Sequence, residues 1–326
     1  MRKIILGISW TIGFILFAFL IYKIGPGRIW ENIKNLTWQR FLILFFLHFL
    51  YFFFRTVNWK IIFEKYEGNV SFGHLIKARL AGDAISYLTP SAYLGGEPVR
   101  AMMVSRTTKR KSIASVTIDK TMEILAMIFL IIIGVTVAIV LISMPRHNKF
   151  LLIAFVIGAI FFGLFIFTKQ RQGFFIWIIS LLEKMKIKPK FIEKHKAKIK
   201  ETDTYISEFY GYHRNTFIIV FLLYTLAFLF WTAEIFLTLI FINAEGATFL
   251  KSFLVTTLGS IVIILPTIPA SLGTYEVTYV TIFVLLGLGA DVGITLTLIR
   301  RIVGLGWVGV GLLTMLKRRV RYESKG

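Results

Sequence analysis

The chain has 326 residues, of which 56% are hydrophobic and only 17% are charged, whereas a soluble domain carries about 25% charged residues. It has no cysteine, which excludes disulfides, thiolate nucleophiles and cysteine-ligated metal centres. The five histidines are far apart in sequence, so we expect no metal site and no cofactor. The net charge is +21, but the cations lie between apolar runs. This pattern indicates a membrane protein that contacts anionic lipid, with no nucleic-acid partner.

Six apolar segments are long enough to cross the hydrocarbon core as α-helices, which takes about 20 residues. Two further apolar regions, 72–105 and 249–288, are interrupted near their centres by proline and glycine. Proline removes a backbone donor and glycine permits a reversal, so we predict a re-entrant helical hairpin in each. The predicted spans are 4–24, 41–63, 121–143, 150–168, 216–243 and 293–316.

The distribution of lysine and arginine predicts the orientation. With the N-terminus in the cytoplasm, the predicted cytoplasmic segments hold 28 of these residues and the external segments hold six, in agreement with the positive-inside rule. Treating either hairpin as a full span would invert the later loops and spoil this agreement. We therefore expect a multi-pass protein of the cell (plasma) membrane with both termini cytoplasmic, a cytoplasmic basic loop at 169–215 and a basic tail at 317–326.

The order of these elements predicts one membrane domain, 1–326, built from two repeats, 1–143 and 150–316. Each repeat contains two spans, a hairpin and a third span, and the two repeats have opposite orientations. The predicted fold class is thus an all-α polytopic membrane protein with about six transmembrane helices and two re-entrant hairpins in an inverted-topology repeat. Transporters with this architecture place their substrate site near the midplane.

The hairpin tips carry matching motifs. Glu97 follows Pro90 by seven residues, and Glu276 follows Pro269 by seven, with a serine and a Leu-Gly pair between them in both. A helix that begins at such a tip presents unpaired N–H groups and a partial positive charge, which favours a phosphate. The tip glycines are Gly95, Gly96 and Gly273.

The first predicted substrate-binding residues lie beside these tips. Arg100 is three residues after Glu97 and is suited to a bidentate contact with a headgroup phosphate. The alternative is that Glu97 only caps its helix and Arg100 lies among lipid headgroups. Glu276 is either a cap or a functional charge, such as a gate or a proton-coupling group.

Arg300 and Arg301 are the other predicted headgroup ligands. They lie about eight residues into the last predicted span, where a charge is costly and must face protein or a wet cavity. Adjacent helical positions point about 100° apart, so we do not expect both to serve one ligand. One of them is expected to pair with Glu276 or Glu234, and structural ion pairing alone is the alternative. Arg55 is another charge within a span and has no assignable role.

A group of supporting charges surrounds the first hairpin. Asp119 and Lys120 are predicted to open the third span, and Glu123 shares a helix face with Asp119. We expect this cluster to bond the hairpin. Asp83 is expected to pair with Arg79, four residues earlier.

A lysine-rich segment, Lys186–Lys200, lies within the predicted loop 169–215. It is either an amphipathic helix on the anionic inner leaflet or an ordinary positive-inside loop.

The tip motifs resemble the transmembrane flippase-like region of the lysylphosphatidylglycerol synthases, or multiple peptide resistance factors, and of their stand-alone relatives. The resemblance implies that the region moves a lipid between leaflets, whereas a soluble domain of the full-length enzymes transfers the amino acid. This sequence ends ten residues after the last predicted span, so we expect transport without the synthase activity. The matching stretches are 88–100, 118–123, 266–276 and Arg300–Arg301.

We therefore predict a lipid flippase-like transporter for an anionic, aminoacylated or glycosylated phospholipid or a lipid-linked intermediate, with membrane phospholipids as its partners. One alternative is a membrane component of a phosphatidylglycerol lysyltransferase, which makes aminoacyl-lipid and gives resistance to cationic peptides. That role would need a separate lipid-modifying enzyme, because the sequence shows no catalytic constellation. A channel or membrane scaffold is the third alternative, although a channel requires a continuous polar lining and the sequence shows isolated charges.

Overall fold

Twelve α-helices make up the part of the chain that the computed structural model describes. That part consists of residues 21–66, 70–89, 94–104, 109–142, 145–185, 190–264 and 271–323. The helices are α1 (Pro26–Lys34), α2 (Trp38–Phe63), α3 (Phe72–Leu88), α4 (Glu97–Val104), α5 (Lys109–Leu141), α6 (Arg146–Gln172), α7 (Phe174–Lys184), α8 (Lys190–Tyr212), α9 (Arg214–Phe241), α10 (Phe249–Ile264), α11 (Thr274–Leu285) and α12 (Ala290–Glu323).

Five of these helices, α2, α5, α6, α9 and α12, are long and apolar enough to cross a membrane. They contain the last five predicted spans. The first predicted span, 4–24, lies outside the described residues except for its last four. The protein is therefore an all-α multi-pass membrane protein, as the sequence predicts.

Helix α5 begins at Lys109, before the predicted span 121–143. Its 33 residues extend about 50 Å at 1.5 Å per residue, more than the roughly 30 Å of hydrocarbon. Asp119 and Lys120 lie almost three turns inside this helix, and their place at the start of the membrane-crossing part stays a prediction. The helix forms this early because Ala114 and Ile118 are fully buried, so tertiary packing stabilises a stretch whose charges resemble those of a loop.

The first hairpin consists of α3 and α4, whose backbones touch at two glycines. A Cβ atom on Gly96 would lie 1.7 Å from the carbonyl oxygen of Gly82, so the two arms pack at a distance that only glycine allows. The Gly96 N–H also donates to Ser86 Oγ at 2.9 Å. Pro90 lies outside the described residues.

The second hairpin consists of α10 and α11. A Cβ on Gly259 would lie 2.6 Å from the ring of Tyr279, and Gly273 has a positive φ of 81° just before α11 begins. Pro269 lies outside the described residues. Both proline- and glycine-broken regions thus form pairs of short helices. Their re-entrant placement in a membrane and the inverted repeat stay predictions.

The hairpins pack against α2, α5, α9 and α12. Helix α12 runs along the first hairpin so closely that a Cβ on Gly311 would lie 2.2 Å from the carbonyl oxygen of Leu80. Helix α6 is peripheral, since no residue in its most apolar 18-residue window is buried. The four long inner helices and the two hairpins therefore form the body that holds the site.

The predicted basic loop 169–215 contains helices. The end of α6 is followed by α7 and α8, and the carboxylate of Asp203 accepts hydrogen bonds from the backbone N–H groups of Phe175 (3.0 Å) and Ile176 (2.7 Å). Asp203 thus caps α7 from the neighbouring helix. Contact of this region with the anionic inner leaflet stays a prediction. The exposed lysines that the structure describes on α8 are Lys196, Lys198 and Lys200.

We predict that Gly96→Ala lowers the free energy of unfolding by about 1–3 kcal/mol, because the methyl group would force the arms of the first hairpin apart. The measurement is thermal unfolding in detergent. Gly73→Ala is the control, since a Cβ there meets no heavy atom within 4 Å, and it should leave stability unchanged or slightly higher. Equal stability of the two variants would contradict the close approach.

The predicted orientation can be tested with single cysteines, because the chain has none. Met185 is 61% exposed and Glu245 is exposed in the turn after α9. We expect a membrane-impermeant maleimide to label Glu245→Cys in intact cells and to label Met185→Cys only after the membrane is opened. The reverse pattern would overturn the predicted topology.

Candidate functional site

A cavity of about 400 Å³ lies among α2, the first hairpin, α5, α6, α9, α11 and α12. Charged side chains gather along part of its wall, and aromatic and aliphatic side chains such as Phe52, Met127 and Trp307 form the rest. The cavity is therefore amphipathic. Its polar lining residues are His48, Tyr51, Arg55, Asp83, Ser86, Tyr87, Lys120, Glu123, Tyr275, Arg300 and Arg301.

The cavity reaches the lateral surface between the first hairpin and α6. Leu94, at the hairpin tip, and Phe162, on α6, both line it, yet they are 48% and 47% exposed. Helix α6 packs mainly on α5, α7 and α8. The cavity is therefore open to the outside of the helix bundle beside these two residues.

Behind the cavity, Asp119 is the centre of a buried ion-pair cluster. Its carboxylate, with no exposed surface, accepts from Arg79 at 2.7 Å, Arg100 at 2.5 Å and the Tyr224 hydroxyl at 2.5 Å. Arg100 also pairs with Glu97 at 2.7 Å. Asp119 thus links α3, α4 and α9 to α5. The cluster contacts both arms of the first hairpin, as the sequence predicts.

Arg55 joins the same cluster to the cavity wall. It donates to Asp83 and to Glu123, both at 2.8 Å, and Lys120 lies 3.3 Å from Glu123. The predicted pair of Arg79 with Asp83 is wrong: each side chain binds a distant residue instead. A local pair of this spacing contributes only about 0.2–0.5 kcal/mol, whereas leaving one member of a buried pair without its partner costs about 3–5 kcal/mol.

This cluster is balanced in charge. Four cations and four carboxylates are linked in it by distances of 3.8 Å or less. The members are Arg55, Arg79, Arg100, Lys120, Asp83, Glu97, Asp119 and Glu123.

The two hairpins meet at Arg301 of α12. Its Nε donates to Glu276 of the second hairpin, and its Nη1 lies 3.3 Å from the Tyr87 hydroxyl of the first. Glu276 also accepts the Gly273 N–H at 2.7 Å and so caps α11. The pairing expected between Glu276 and one of the two arginines is therefore present, and Glu276 is at once a cap and a counter-charge.

Arg300 differs from the other arginines of the cavity. Within the described part of the chain it forms no hydrogen bond or ion pair, and its guanidinium carbon lies 4.8 Å from the centre of the Trp231 ring. Its buried Nη1 has no acceptor, and neither do the buried indole N–H groups of Trp231 and Trp307. All three donors belong to cavity-lining residues. The donor atoms themselves have almost no accessible surface, so what sets Arg300 apart in the cavity wall is that its charge has no ion-pair partner among the described residues.

The structure separates the predicted site residues into two sets. Asp83, Lys120, Glu123, Arg300 and Arg301 line the cavity. Both arginines line it, and whether both serve one ligand stays open. The residues outside the lining are Glu97, Arg100, Asp119, Glu234 and Glu276.

The headgroup role predicted for Glu97 and Arg100 stays a prediction. Arg100 is fully buried and lies between two carboxylates, 4.2 Å from the Trp59 ring. In this arrangement its charge is already matched.

Sequence reasoning missed the parts played by Arg55, His48 and Tyr224. For Arg55, its position inside a predicted span indicated that it needs a partner of opposite charge. His48 gave no such indication. It lines the cavity and its Nδ1 lies 2.8 Å from Glu234. Among the described residues, no group of three or more His, Asp and Glu side chains is placed to hold a metal ion.

The family model for the lysylphosphatidylglycerol synthase TM region matches residues 4–312. The chain belongs to this family. The match covers both hairpins, the cavity and nearly all of the described helices, so the site lies within the part of the chain that matches the lysylphosphatidylglycerol synthase TM region.

Two curated relatives carry the name UPF0104 membrane protein. One, from Methanothermobacter thermautotrophicus, is 25% identical over 307 residues, which cover 90% of this chain and 89% of the relative. The other, from Pyrococcus horikoshii, is 24% identical over 294 residues, covering 82% and 84%. These relatives are thus similar to the chain over most of the lysylphosphatidylglycerol synthase TM region.

We predict that Asp119→Asn lowers the free energy of unfolding by about 3–5 kcal/mol, because Arg79 and Arg100 lose their shared carboxylate in a buried site. The measurement is thermal or denaturant unfolding in detergent. Glu201→Gln is the control. It removes the 2.6 Å pair with Arg110, in which both side chains are about a third exposed, and should cost no more than about 1 kcal/mol. Similar losses in the two variants would contradict the central role of Asp119.

Proposed function

We propose that this protein moves a lipid with an anionic headgroup between the two leaflets, with the headgroup in the cavity and the acyl chains outside it. The observation that carries this proposal is Arg300, which lines the cavity and forms no hydrogen bond or ion pair within the described part of the chain. A phosphate diester supplies acceptor oxygens and one negative charge. Charge-assisted hydrogen bonds to such a group are stronger than neutral ones.

The charge around the cavity also favours an anion. Arg55 and Lys120 are matched by carboxylates in the balanced cluster, and Arg301 is matched by Glu276. Arg300 has no carboxylate within ion-pair distance among the residues described. A bound monoanion would therefore pair with Arg300 instead of adding a charge without a partner.

The shape of the cavity favours a lipid over a water-soluble anion. Its wall away from the charges is aromatic and aliphatic, and Leu94 and Phe162 flank the side opening. Such an opening lets the acyl chains stay in hydrocarbon while the headgroup lies among polar groups. The headgroup then avoids most of the cost of burying an unpaired charge, which is several kcal/mol.

The lysyltransferase alternative draws its support from the family name, which includes a synthase. It differs from transport in its chemistry, because it requires transfer of an amino acid to the headgroup. Formation of lysylphosphatidylglycerol from lysyl-tRNA by membranes that contain the protein, and not by matched membranes that lack it, would reveal that role.

Transport is testable in liposomes of phosphatidylcholine and phosphatidylglycerol that contain a trace of headgroup-accessible fluorescent phosphatidylglycerol. Dithionite bleaches only the outer leaflet, so the rate of further bleaching reports movement from the inner leaflet. We predict that Arg300→Gln slows this movement by about tenfold or more, since a charge-assisted hydrogen bond is worth roughly 1.5–3 kcal/mol.

Arg146→Gln is the matched control, because Arg146 is exposed at the start of α6 and away from the cavity. It should move lipid at the wild-type rate. A wild-type protein that moves no lipid in this assay would overturn the proposed function. Arg300→Gln at the wild-type rate would overturn the assignment of the anion site.

A further inference from the structure

We propose that Asp83 binds a hydroxyl group of the lipid headgroup, so that the cavity selects anionic lipids whose phosphate carries a polyol. This inference rests on the proposed function and narrows the substrate class of the same cavity. The site then has two parts, which are Arg300 for the phosphate and Asp83 for a hydroxyl group beyond it.

The Asp83 carboxylate uses only one of its two oxygens within the protein. Its Oδ2 accepts a hydrogen bond from Arg55 Nη1 at 2.8 Å. Its Oδ1 accepts none from the residues that the structure describes. The Asp83 side chain is 21% exposed and lines the cavity. An ionised carboxylate is only an acceptor, so this oxygen requires a donor from the occupant of the cavity.

Glu123, the other carboxylate residue of the described lining, is different. Both of its oxygens are occupied by cations of the protein. Its Oε1 lies 2.8 Å from Arg55 Nη2, and its Oε2 lies 3.3 Å from the ammonium group of Lys120. The acceptor that remains for a ligand is therefore on Asp83.

The charge of Asp83 is already balanced, so the donor that fits it is neutral. Asp83 belongs to the cluster in which four cations and four carboxylates are linked. An ammonium group at Asp83 would add another cation beside Arg55. A hydroxyl group adds no charge, and its hydrogen bond to a carboxylate is stronger than one between neutral groups. The site therefore favours a polyol over an amine.

A continuous stretch of the cavity wall connects Asp83 with Arg300. The guanidinium carbon of Arg55 lies 5.0 Å from the centre of the Tyr51 ring, and that ring lies 5.6 Å from the Trp231 ring. Arg300 lies 4.8 Å from the same Trp231 ring. All five residues line the cavity, and the two rings provide apolar surface for the carbon atoms of a polyol.

Helix α3 provides a second connection between Asp83 and α12. Tyr87 follows Asp83 by one helical turn, about 5.4 Å along the axis. The Tyr87 hydroxyl lies 3.3 Å from Arg301 Nη1, and Arg301 is the residue after Arg300. A single headgroup in this cavity can therefore contact both Arg300 and Asp83.

The test compares two lipids of equal charge, dioctanoyl phosphatidylglycerol and dioctanoyl phosphatidylpropanol, which differ only in the hydroxyl groups of the head. Each is titrated into the purified protein in detergent. We expect the wild type to bind phosphatidylglycerol about tenfold more tightly, the effect of one hydrogen bond to a charged group. Asp83→Ala should bind the two lipids equally. The ratio of the two affinities is the readout, because loss of a negative charge strengthens binding of both anions alike.

Glu64→Ala is the matched control. It removes a carboxylate that lies 3.5 Å from Lys60, in a pair with both side chains exposed and outside the cavity lining. This variant should keep the wild-type ratio. Circular dichroism and thermal unfolding would establish that each variant is folded.

If Asp83→Ala does not fold, Asp83→Asn takes its place. The amide oxygen can still accept from Arg55, so the amide NH₂ then faces the cavity and the acceptor for the hydroxyl group is lost. The preference for phosphatidylglycerol should again fall.

Two results would overturn the assignment of Asp83. One is a wild type with no preference for phosphatidylglycerol over phosphatidylpropanol, and the other is a folded Asp83 variant that keeps the wild-type ratio. In both cases the proposed transport function stands, because anionic lipid still binds. Failure of the wild type to bind either lipid would overturn both proposals.

Discussion

Every buried charge in this protein must be matched, and the arrangement of the helices depends on that requirement. Removing an ion from water costs several kcal/mol even after the protein relaxes, and a helix that crosses hydrocarbon cannot recover this energy from solvent. Asp119 meets the requirement by binding two arginines and a tyrosine from three other helices. One carboxylate thereby fixes the positions of α3, α4 and α9 relative to α5.

The same requirement separates structural charges from charges available to a ligand. Eight side chains form a closed set of equal and opposite charges, and this set has no net charge left over for a substrate. Arg300 lies outside that set, beside two indole groups whose N–H donors are also unused. The proposed anion site depends on this difference between Arg300 and the paired charges.

The sequence predicted the features that depend on local composition. Hydropathy identified the long helices, and the proline and glycine breaks located both hairpins, because span length and backbone freedom are local properties. Helix α5 extends beyond the predicted span at its start, because tertiary burial of Ala114 and Ile118 stabilises a helix across charges that otherwise indicate a loop.

The choice of ion-pair partners was beyond prediction. Arg79 and Asp83 have the spacing of a helical pair, yet each has a partner on another helix, because burial makes the distant pairs worth more than the local one. The contact of His48 with Glu234 could not be predicted either, because it depends on the packing of α2 against α9. Partner choice is a property of the packed helices and not of any one segment.

The contact between Gly82 and Gly96 has a mechanical consequence. Because the two arms touch backbone to backbone, they cannot move relative to each other without opening a gap. The first hairpin therefore moves as one rigid body. Three side chains of this hairpin contact other helices. Asp83 contacts Arg55, Tyr87 contacts Arg301, and Arg100 contacts Asp119. A tilt that breaks one of these contacts strains the other two. The first hairpin is therefore held at three points as one rigid unit, on α2, α5 and α12.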